Sequence, residues 1–423
     1  MSYEPLSKLF YSDKEHYEEI YQNRFNSEYT THIDFEINGS PAFYVLDPTL
    51  HQKSIEIYKA DKRIKQLRDE LPDVAIDQFT MRSLVDEIVL TNDIEGVYSS
   101  RREINSILSE LKVKNRRKRY FGLVQKYLML QKNETLSFKT PQDIRDLYDD
   151  LVYSEIEEDN PQNLLDGEIF RKDSVSVESA AQKEIHRGVY PESKIIECME
   201  QALKVLNANG IDELFKVAVF HYLFGYIHPF YDGNGRTSRF ISSYLLSKEF
   251  EPTIAYRLSY TIKENIKEYY QAFKTCNDRH NKGDLTPFVI MFTDIIEESM
   301  KQLEEALQKR YHWLMYYREC VRYLPNGLND KYMDLYDYLI QANLFSENGI
   351  STQELMSYLH ISRATLSNRL SSISEQGLLI KNASGNIRYY KLNLDEVEKL
   401  SSANTDEEYL YEKLGYHQTG KTE

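Results

Sequence analysis

The sequence predicts a mainly α-helical protein. Residues 214–227 are apolar on nearly every face, which is typical of a helix that is buried on all sides. Between residues 81 and 88, apolar side chains recur at helical spacing. Capping boxes at 100–103 and 351–354, where a serine is followed by a glutamate at the third helical position, mark two further helix starts. We therefore expect a helical core in which strands are confined to short hairpins.

The composition favours a globular cytoplasmic protein. With 423 residues, of which 41% are hydrophobic, the chain is long enough for two or three domains and a large core. It shows neither a basic segment leading into an apolar run at its start nor an apolar stretch of about 18 residues, so we expect no signal peptide and no membrane span. Cys198, Cys276 and Cys320 have no disulfide or metal-site spacing. The net charge of −15 argues against nucleic-acid binding by the surface as a whole, but a local basic patch is compatible with it.

The N-terminal segment combines a hairpin and a helix. Residues 1–45 are tyrosine-rich and irregular in pattern, apart from strands expected at 34–37 and 42–46 on either side of a turn. Asp47-Pro48 opens a helix that runs to about residue 70, where Leu71-Pro72 ends it.

The next helix, which we expect Asp77 to cap, has an unusual end. It finishes at Thr91-Asn92-Asp93-Ile94-Glu95-Gly96, where Gly96 is suited to a C-terminal cap. Asp93 and Glu95 thus lie at the negative end of the helix dipole, where acids are disfavoured. Either both carboxylates are solvated, or one of them has a cationic partner elsewhere in the fold.

The most informative motif follows the buried helix and reads His228-Pro229-Phe230-Tyr231-Asp232-Gly233-Asn234-Gly235-Arg236-Thr237-Ser238-Arg239. Pro229 stops the helix, and the glycines and asparagine are suited to a tight turn with positive φ. A second helix then begins near Arg236, and its free N–H groups and positive dipole end suit an anion. Each feature alone is usually structural. Their combination in one short stretch predicts a polyphosphate site with a base and a metal ligand beside it.

This stretch resembles the signature of the Fic family, HPFx(D/E)GNGRxxR, at every fixed position. The resemblance covers roughly residues 80–290 and implies a Fic-type helical core with a short β-hairpin flap. It also implies a protein adenylyltransferase, a nucleotidyltransferase that moves AMP from ATP to a tyrosine, serine or threonine hydroxyl on a target protein or on itself.

The residues of the signature suit that reaction. A hydroxyl needs a base within hydrogen-bond reach, and His228 is placed for this role. Asp232 is expected to hold Mg²⁺, a hard cation that takes carboxylate and phosphate oxygens and would stabilise the diphosphate leaving group. Phe230 is expected to be a buried anchor for the loop. The phosphates of ATP are expected to bind through the loop backbone, the Asn234 amide and two guanidinium groups. The residues concerned are Gly233, Asn234, Gly235, Arg236 and Arg239.

The helix end at 91–96 resembles the inhibitory motif of Fic proteins, (S/T)xxxE(G/N). In members that carry this motif before the core, the glutamate reaches the second arginine of the signature, which implies that Glu95 pairs with Arg239. The γ-phosphate of ATP would then lose its clamp, and the α-phosphate would be misaligned for attack. We therefore expect a latent enzyme that is restrained in cis by Glu95 on the helix 77–95.

A short hairpin precedes the signature. Strand-like alternation occurs at Ser174, Val175, Ser176 and Val177, and residues 185–189 are suited to return beside it. In Fic proteins a hairpin at this place, the flap, docks the target peptide by strand pairing, a mode that tolerates varied target sequences. The alternative is an ordinary surface hairpin.

Three other features are less specific. Tyr269 and Tyr270, within a region predicted to be helical, either line a nucleobase pocket or pack in the core, and packing is the commoner role. The basic run at 112–119 is either a solvated helix face or a contact for an acidic target. Residues 154–163 are acidic and have a loop-like composition.

The C-terminal part resembles a winged helix-turn-helix over 327–392. We expect helices at 329–340, from 351 to near 360 and at 363–375, followed by a hairpin with its turn at 384–386. Within 351–391 the five basic residues Arg363, Arg369, Lys381, Arg388 and Lys391 outnumber two acidic ones, Glu354 and Glu375. DNA binding through this segment and a protein-interaction or homodimer role remain as alternatives.

These patterns divide the chain into an N-terminal segment 1–76, a Fic core 77–310, a winged helix-turn-helix 327–392 and an acidic, poorly ordered tail 393–423. Two functions compete with AMP transfer. One is removal of AMP from a modified protein, with Glu95 aligning a water, and the other is DNA-binding regulation by a protein whose Fic core senses nucleotide. Related proteins that transfer phosphate or phosphocholine are disfavoured by the aspartate at 232.

Overall fold

The computed structural model confirms the predicted mainly α-helical fold. It describes residues 3–110, 119–132, 134–178, 184–384 and 387–402. Within these ranges, none of the helices has both the length and the apolar character that crossing a membrane requires.

The α-helices of the described residues are α1 (Leu6–Ser12), α2 (Tyr17–Phe25), α3 (Pro48–Glu70), α4 (Asp73–Ile94), α5 (Arg101–Glu110), α6 (Phe121–Gln131), α7 (Pro141–Asp159), α8 (Glu192–Leu206), α9 (Glu213–Ile227), α10 (Asn234–Glu249), α11 (Leu258–Glu264), α12 (Ile266–Cys276), α13 (Thr286–Cys320), α14 (Asp330–Phe345), α15 (Thr352–Leu359), α16 (Arg363–Glu375) and α17 (Leu394–Ser402).

The strands form small antiparallel sheets. They are β1 (Thr30–Ile37), β2 (Ser40–Val45), β3 (Ser176–Glu178), β4 (Glu184–Arg187), β5 (Ile350–Ser351), β6 (Leu379–Ser384) and β7 (Ile387–Leu392). β1 pairs with β2 and β3 with β4, while the third sheet has the order β5-β7-β6.

The chain divides into two compact units. Unit 1 comprises residues 1–62 and 83–303, and unit 2 comprises residues 63–82 and 304–423. The boundaries at 76 and 310 expected from the sequence do not coincide with this division.

The core of unit 1 is built around α9, which is buried on all sides as its composition predicts. Leu223, Phe224 and Ile227 have no exposed surface. The helix packs against α8 on one side and α10 on another. Asp212 caps its first turn by accepting a hydrogen bond from the backbone N–H of Leu214 at 2.9 Å. A helix so enclosed fixes the position of whatever follows its last residue.

The prediction that residues 1–45 are irregular outside the hairpin was wrong. The segment contains α1 and α2, whose apolar residues Leu6, Leu9 and Tyr17 are buried against Phe43 of β2. Helices this short give weak periodicity, and tertiary packing stabilises them.

Three other boundaries also differ from the sequence predictions. α4 begins at Asp73 rather than at Asp77, because the carbonyl of Pro72 already accepts from Ile76 N–H at 3.1 Å. The acidic stretch at 154–163 is not a loop throughout, since α7 continues to Asp159. The tail is helical at its start, where α17 buries Val397.

Unit 2 contains the helices and strands predicted near the C-terminus. Capping serines begin two of its helices: Ser351 accepts from Glu354 N–H and Ser362 from Thr365 N–H. The third predicted helix, α16, has the predicted bounds and is followed by the β6–β7 pair. Residues 385 and 386 of the predicted turn lie outside the described residues. The winged helix-turn-helix assignment stays a prediction.

The burial of α9 predicts a large cost for truncating it. Leu223→Ala should lower the free energy of unfolding by about 2–5 kcal/mol, because it removes buried methyl groups and leaves a cavity. Urea unfolding followed by circular dichroism would measure the loss. Leu328, which is 76% exposed, provides the matched control, and Leu328→Ala should change the value by less than about 0.5 kcal/mol. Equal unfolding curves for the two variants would contradict the prediction.

Candidate active site

The signature forms a tight turn between two buried helices. His228 is the C-cap of α9 in the left-handed region, at φ 51°, and Gly233 is the N-cap of α10 at φ 78°. A side chain on Gly233 would be strained by that φ, and its Cβ would lie 3.0 Å from a methyl of Val152. The turn thus places the histidine at one helix end and the glycine loop at the start of the next.

The Asn234 side chain stabilises this turn by hydrogen bonds to its main chain. Its side-chain oxygen accepts from Phe230 N–H at 2.9 Å, and its amide N–H donates to the Phe230 carbonyl at 2.8 Å. Phe230 is the buried anchor that the sequence predicts: it is 0% exposed and stacks on Tyr148 with ring centroids 3.7 Å apart. The Asn234 side chain therefore braces the loop. Its backbone N–H, in the first turn of α10, is the group of this residue that suits phosphate.

The His228 imidazole is held in the neutral form, as a general base requires. Burial, followed by the nearby His186, lowers its pKa to about 4, with Arg171 adding to the effect and Glu95 opposing it. At neutral pH the ring can accept a proton.

Arg239 is held by Thr91 in the last turn of α4 and by Glu95, which follows that helix. Its Nη2 lies 2.8 Å from Glu95 Oε1 and donates to the Thr91 carbonyl at 2.9 Å, while its Nε donates to Thr91 Oγ1 at 2.8 Å. Burial raises the pKa of Glu95, but the charge of Arg239 outweighs this and holds it below the usual value. The pair expected from the inhibitory motif therefore forms in the structure.

Gly235 is the residue that allows Glu95 to approach. A Cβ built on it would lie 2.1 Å from Glu95 Oε1 and 2.9 Å from Arg239 Nη1. The Glu95 carboxylate thus lies against the first turn of α10, which is the position that suits an anion.

Arg236 is also paired, with a residue that the sequence analysis missed. Its Nη1 donates to Glu155 Oε1 at 2.5 Å, and its Nη2 lies 3.5 Å from Asp232 Oδ1. The Arg236 side chain has no exposed surface. Burial raises the pKa of Glu155, which Arg236 opposes. Because residues 154–163 resembled a loop, no sequence signal marked Glu155 as part of a buried charge pair.

The site fits Mg²⁺ only when phosphate shares the ion. Within the described residues, no group of three or more His, Cys, Asp or Glu side chains is placed to hold a metal. Asp232 offers a partly exposed carboxylate, with 27% of its side chain accessible. Mg²⁺ is usually bound by one or two carboxylates together with phosphate oxygens and water. The Asp232 carboxylate fits that pattern.

The hairpin predicted before the signature is present but shifted from its predicted position. β3 pairs antiparallel with β4 from Ser176–Arg187 onward. Ser176 and Val177 are in β3, whereas Ser174 and Val175 precede it. β3 and β4 form a two-stranded sheet within the described residues. Each strand therefore has an edge to which a further strand can pair.

Tyr269 and Tyr270 have different surroundings. Tyr269 is 4% exposed, and its hydroxyl lies 2.7 Å from Nε2 of the buried His221, so it packs in the core. Tyr270 is 45% exposed, and Glu95 and Arg239 both lie close enough to influence its pKa. Of the two, Tyr270 is the one available to a ligand.

Residues 112–118 of the basic run lie outside the described residues, and Arg119 forms an ion pair with Asp159 at 2.7 Å.

Fold and site together define a helical protein in which a histidine precedes a helix N-terminus that suits an anion. Comparisons with known proteins then place this site within a Fic domain. The model of the Fic/DOC family matches residues 138–246. "Protein adenylyltransferase Fic" of Drosophila grimshawi is 31% identical over 106 residues, which is 25% of this chain and 20% of that protein. The Drosophila erecta protein of the same name is 34% identical over 105 residues, or 24% of this chain and 19% of that protein.

A crystal structure of a Fic family protein from Desulfovibrio desulfuricans G20 superposes with a TM-score of 0.49 and 19% identity. The match covers 83% of this chain and 97% of that one. The chain described here thus contains a Fic domain at residues 138–246. It spans about a fifth of the length of the named relatives it matches.

A buried carboxylate on α4 makes stability depend on pH. Glu87 is 0% exposed and accepts hydrogen bonds from Ser259 N–H at 2.9 Å and from Ser259 Oγ at 2.5 Å. Burial raises its pKa from 4.5 to about 7. Between these values the folded state binds more protons than the unfolded state. The contribution of Glu87 to stability therefore falls as pH rises through that window.

Glu87→Gln removes this titration. Relative to the wild type, the variant should gain up to about 3 kcal/mol of stability as pH rises from 4.5 to 8. Urea unfolding at several pH values would measure the difference. Glu200→Gln provides the control, because it makes the same substitution at an exposed position. A difference between Glu87→Gln and wild type that is constant with pH would contradict the assignment.

Proposed function

We propose that this protein transfers AMP from ATP to a hydroxyl side chain of a target protein or of itself. The main support is that a neutral His228, an anion-binding helix start and the Glu95–Arg239 pair meet at one turn. The similarity of its Fic domain to proteins named adenylyltransferase supports the same reaction. ATP is the substrate, and the target presents tyrosine, serine or threonine.

The chemistry proceeds from the geometry of the turn. The target hydroxyl oxygen attacks the α-phosphorus as His228 takes its proton, and the bond to the β-phosphate bridging oxygen breaks to release diphosphate. Backbone N–H groups at the start of α10 stabilise the charge that develops on the phosphate oxygens. Mg²⁺ held by Asp232 supplies positive charge to the leaving group when bound.

The restraint is proposed to act through the phosphate site. While Glu95 holds Arg239, that guanidinium is withheld from the γ-phosphate, and a carboxylate lies where the phosphates bind. ATP would bind with its α-phosphorus away from the line of attack. A misplacement of about 1 Å can lower the rate on the order of 10²-fold.

The test compares Glu95→Gly, Glu95→Gly with His228→Ala, and the native chain after incubation with ATP and Mg²⁺. Intact mass spectrometry should show added AMP on Glu95→Gly alone, with a rate on the order of 10²-fold above that of the native chain. Asp93→Gly is the matched control. Asp93 lies two residues away and pairs with Lys263 at 2.8 Å, so this variant should stay latent.

The same experiment separates the competing reaction. If the native chain removes AMP from an AMP-modified protein and Glu95→Gly loses that activity, Glu95 orients a water and the protein is a de-AMPylating enzyme. The partly exposed, ionised Glu95 beside His228 is the observation that favours this alternative. Equal labelling of Glu95→Gly and the native chain would contradict the proposed restraint.

A second proposal concerns DNA binding by unit 2. The exposed face of α16 carries small polar residues that are suited to contact with base edges and phosphates, namely Thr365, Ser367, Asn368 and Ser371. Arg363 at its first turn is exposed, whereas Arg369 donates to the Lys331 carbonyl at 2.8 Å. Of the two arginines, Arg363 is therefore the better phosphate contact.

If unit 2 binds DNA, Arg363→Ala should weaken binding and reduce the slope of log affinity against log salt by about one. Fluorescence anisotropy with random duplex DNA at several salt concentrations would measure this. Lys399→Ala provides the control, because Lys399 is exposed on α17 and paired with Glu396. Absence of salt-dependent binding by the native chain would leave a protein-interaction or homodimer role for this unit.

A further inference from the structure

The structure buries a cation, Arg171, that the proposed chemistry does not use. Its side chain has no exposed surface. The residue lies between α7 and the flap, just before β3. A buried charge is costly unless it is well satisfied by hydrogen bonds. Its partners therefore show what it stabilises.

Those partners, within the described residues, are main-chain carbonyl oxygens. Nε and Nη2 donate to the His228 carbonyl at 3.0 and 2.8 Å. Nη2 also donates to the Val189 carbonyl at 2.8 Å, and Nη1 donates to the Asp173 carbonyl. The carbonyl groups at the C-terminal end of α9 are the negative end of its dipole, which favours a cation there.

A fourth carbonyl partner, that of Ile227, lies 3.5 Å from Nη2 in the last turn of α9. The other three carbonyl groups belong to three functional places. His228 carries the base, Asp173 precedes the first flap strand, and Val189 follows the second. One planar guanidinium thus joins both ends of the flap to the residue that carries the base. The main chain adds a parallel link, since Val189 N–H donates to the Ile227 carbonyl at 3.0 Å.

The fit around this group is close. A Cβ on Gly188 would lie 2.4 Å from Arg171 Nη2 and 3.0 Å from His228 Cβ. A substituent at this position would displace the guanidinium without removing its charge.

We propose that Arg171 is a positioning residue that fixes the distance between the flap and His228. This inference rests on the proposed AMP transfer and on strand pairing at the flap. A target strand docked on β3 or β4 is then held in a fixed register to the imidazole, so that one hydroxyl of the target reaches the base. The fork geometry of arginine matters here, because a lysine supplies donors from a single point.

The alternative is that Arg171 only braces the fold. Stability alone does not separate the two roles, because both predict a less stable variant. A positioning role changes kcat, the choice of hydroxyl and the surroundings of the His228 ring, and it leaves ATP affinity largely unchanged.

The experiment uses the full chain carrying Glu95→Gly, with Arg171→Lys or Arg171→Met added. Self-modification with ATP and Mg²⁺ should fall on the order of 10²-fold in kcat, while KM for ATP changes by less than about threefold. Peptide mapping should show the remaining AMP spread over more hydroxyls than in the Glu95→Gly parent. Arg145→Lys is the matched control, because Arg145 also donates to a backbone carbonyl, that of Ile169, at 3.0 Å and should keep the rate and sites of the parent.

A second readout does not depend on activity. In chains with isotope-labelled histidine, NMR should show the His228 ring signals shifted or broadened by Arg171→Lys. His221, enclosed between Ser242 and Tyr269, is the internal control and should not change. If the Glu95→Gly parent fails to transfer AMP, the proposed function fails, and the His228 signals still decide the role of Arg171.

Three results would overturn the inference: unchanged His228 signals in a folded variant, a kcat within about threefold of the parent, or a loss of kcat matched by an equal loss of ATP affinity. If the Arg171 variants do not fold, Gly188→Ala displaces the guanidinium with the charge retained. Because its Cβ would also lie 3.0 Å from His228 Cβ, the readouts for this variant are kcat and the choice of hydroxyl, and it should give the same fall in kcat and the same spread of modified sites; an unchanged kcat and unchanged sites would overturn the inference.

Discussion

The site depends on how the chain closes a turn between two buried helices. α9 is enclosed by its neighbours, so its last residue cannot move without disturbing the core. Asn234 then ties the loop through two hydrogen bonds to Phe230, whose ring is stacked on Tyr148. This closure places His228 in the left-handed region of φ, directly before the loop that leads into the first turn of α10. His228 and the first turn of α10 are therefore positioned by the same turn.

Arg171, Arg236 and Arg239 are buried around this turn, and each has its own partners. Arg239 is paired with Glu95, and Arg236 is paired with Glu155. Arg171 donates to backbone carbonyls at the end of α9. Burying a charge costs free energy that a partner must offset, so the choice of partner decides what each guanidinium is free to do. The two arginines of the signature are held by carboxylates. A phosphate group can replace a carboxylate as the partner of such an arginine, because both groups are anions.

Much of this arrangement was accessible from the sequence because the signals were local. Pro229 and the glycines require a turn, and the apolar residues of α9 require burial on all sides. The short helices α1 and α2 were missed because they are stabilised by packing on Phe43 rather than by their own periodicity. Glu155 was missed for a related reason. From its sequence, an acidic stretch is expected to be solvated. Only the fold shows that a buried guanidinium lies against one of its residues.

The sequence by itself determined the helical class, the turn and the residue types that meet there, since these follow from patterns within a few neighbouring positions. The family resemblance implied the Glu95–Arg239 pair, but only the tertiary structure showed that Arg236 pairs with Glu155 and that Thr91 also binds Arg239. Thr91 and Glu95 are separated from Arg239 by more than a hundred residues, yet their oxygens lie within 3 Å of its nitrogens. The Arg171 contacts with Asp173, Val189 and His228 are likewise set by the packing of separate segments. The contacts of Arg236 and Arg171 depend on the three-dimensional arrangement of the core, and no pattern of neighbouring residues indicated them.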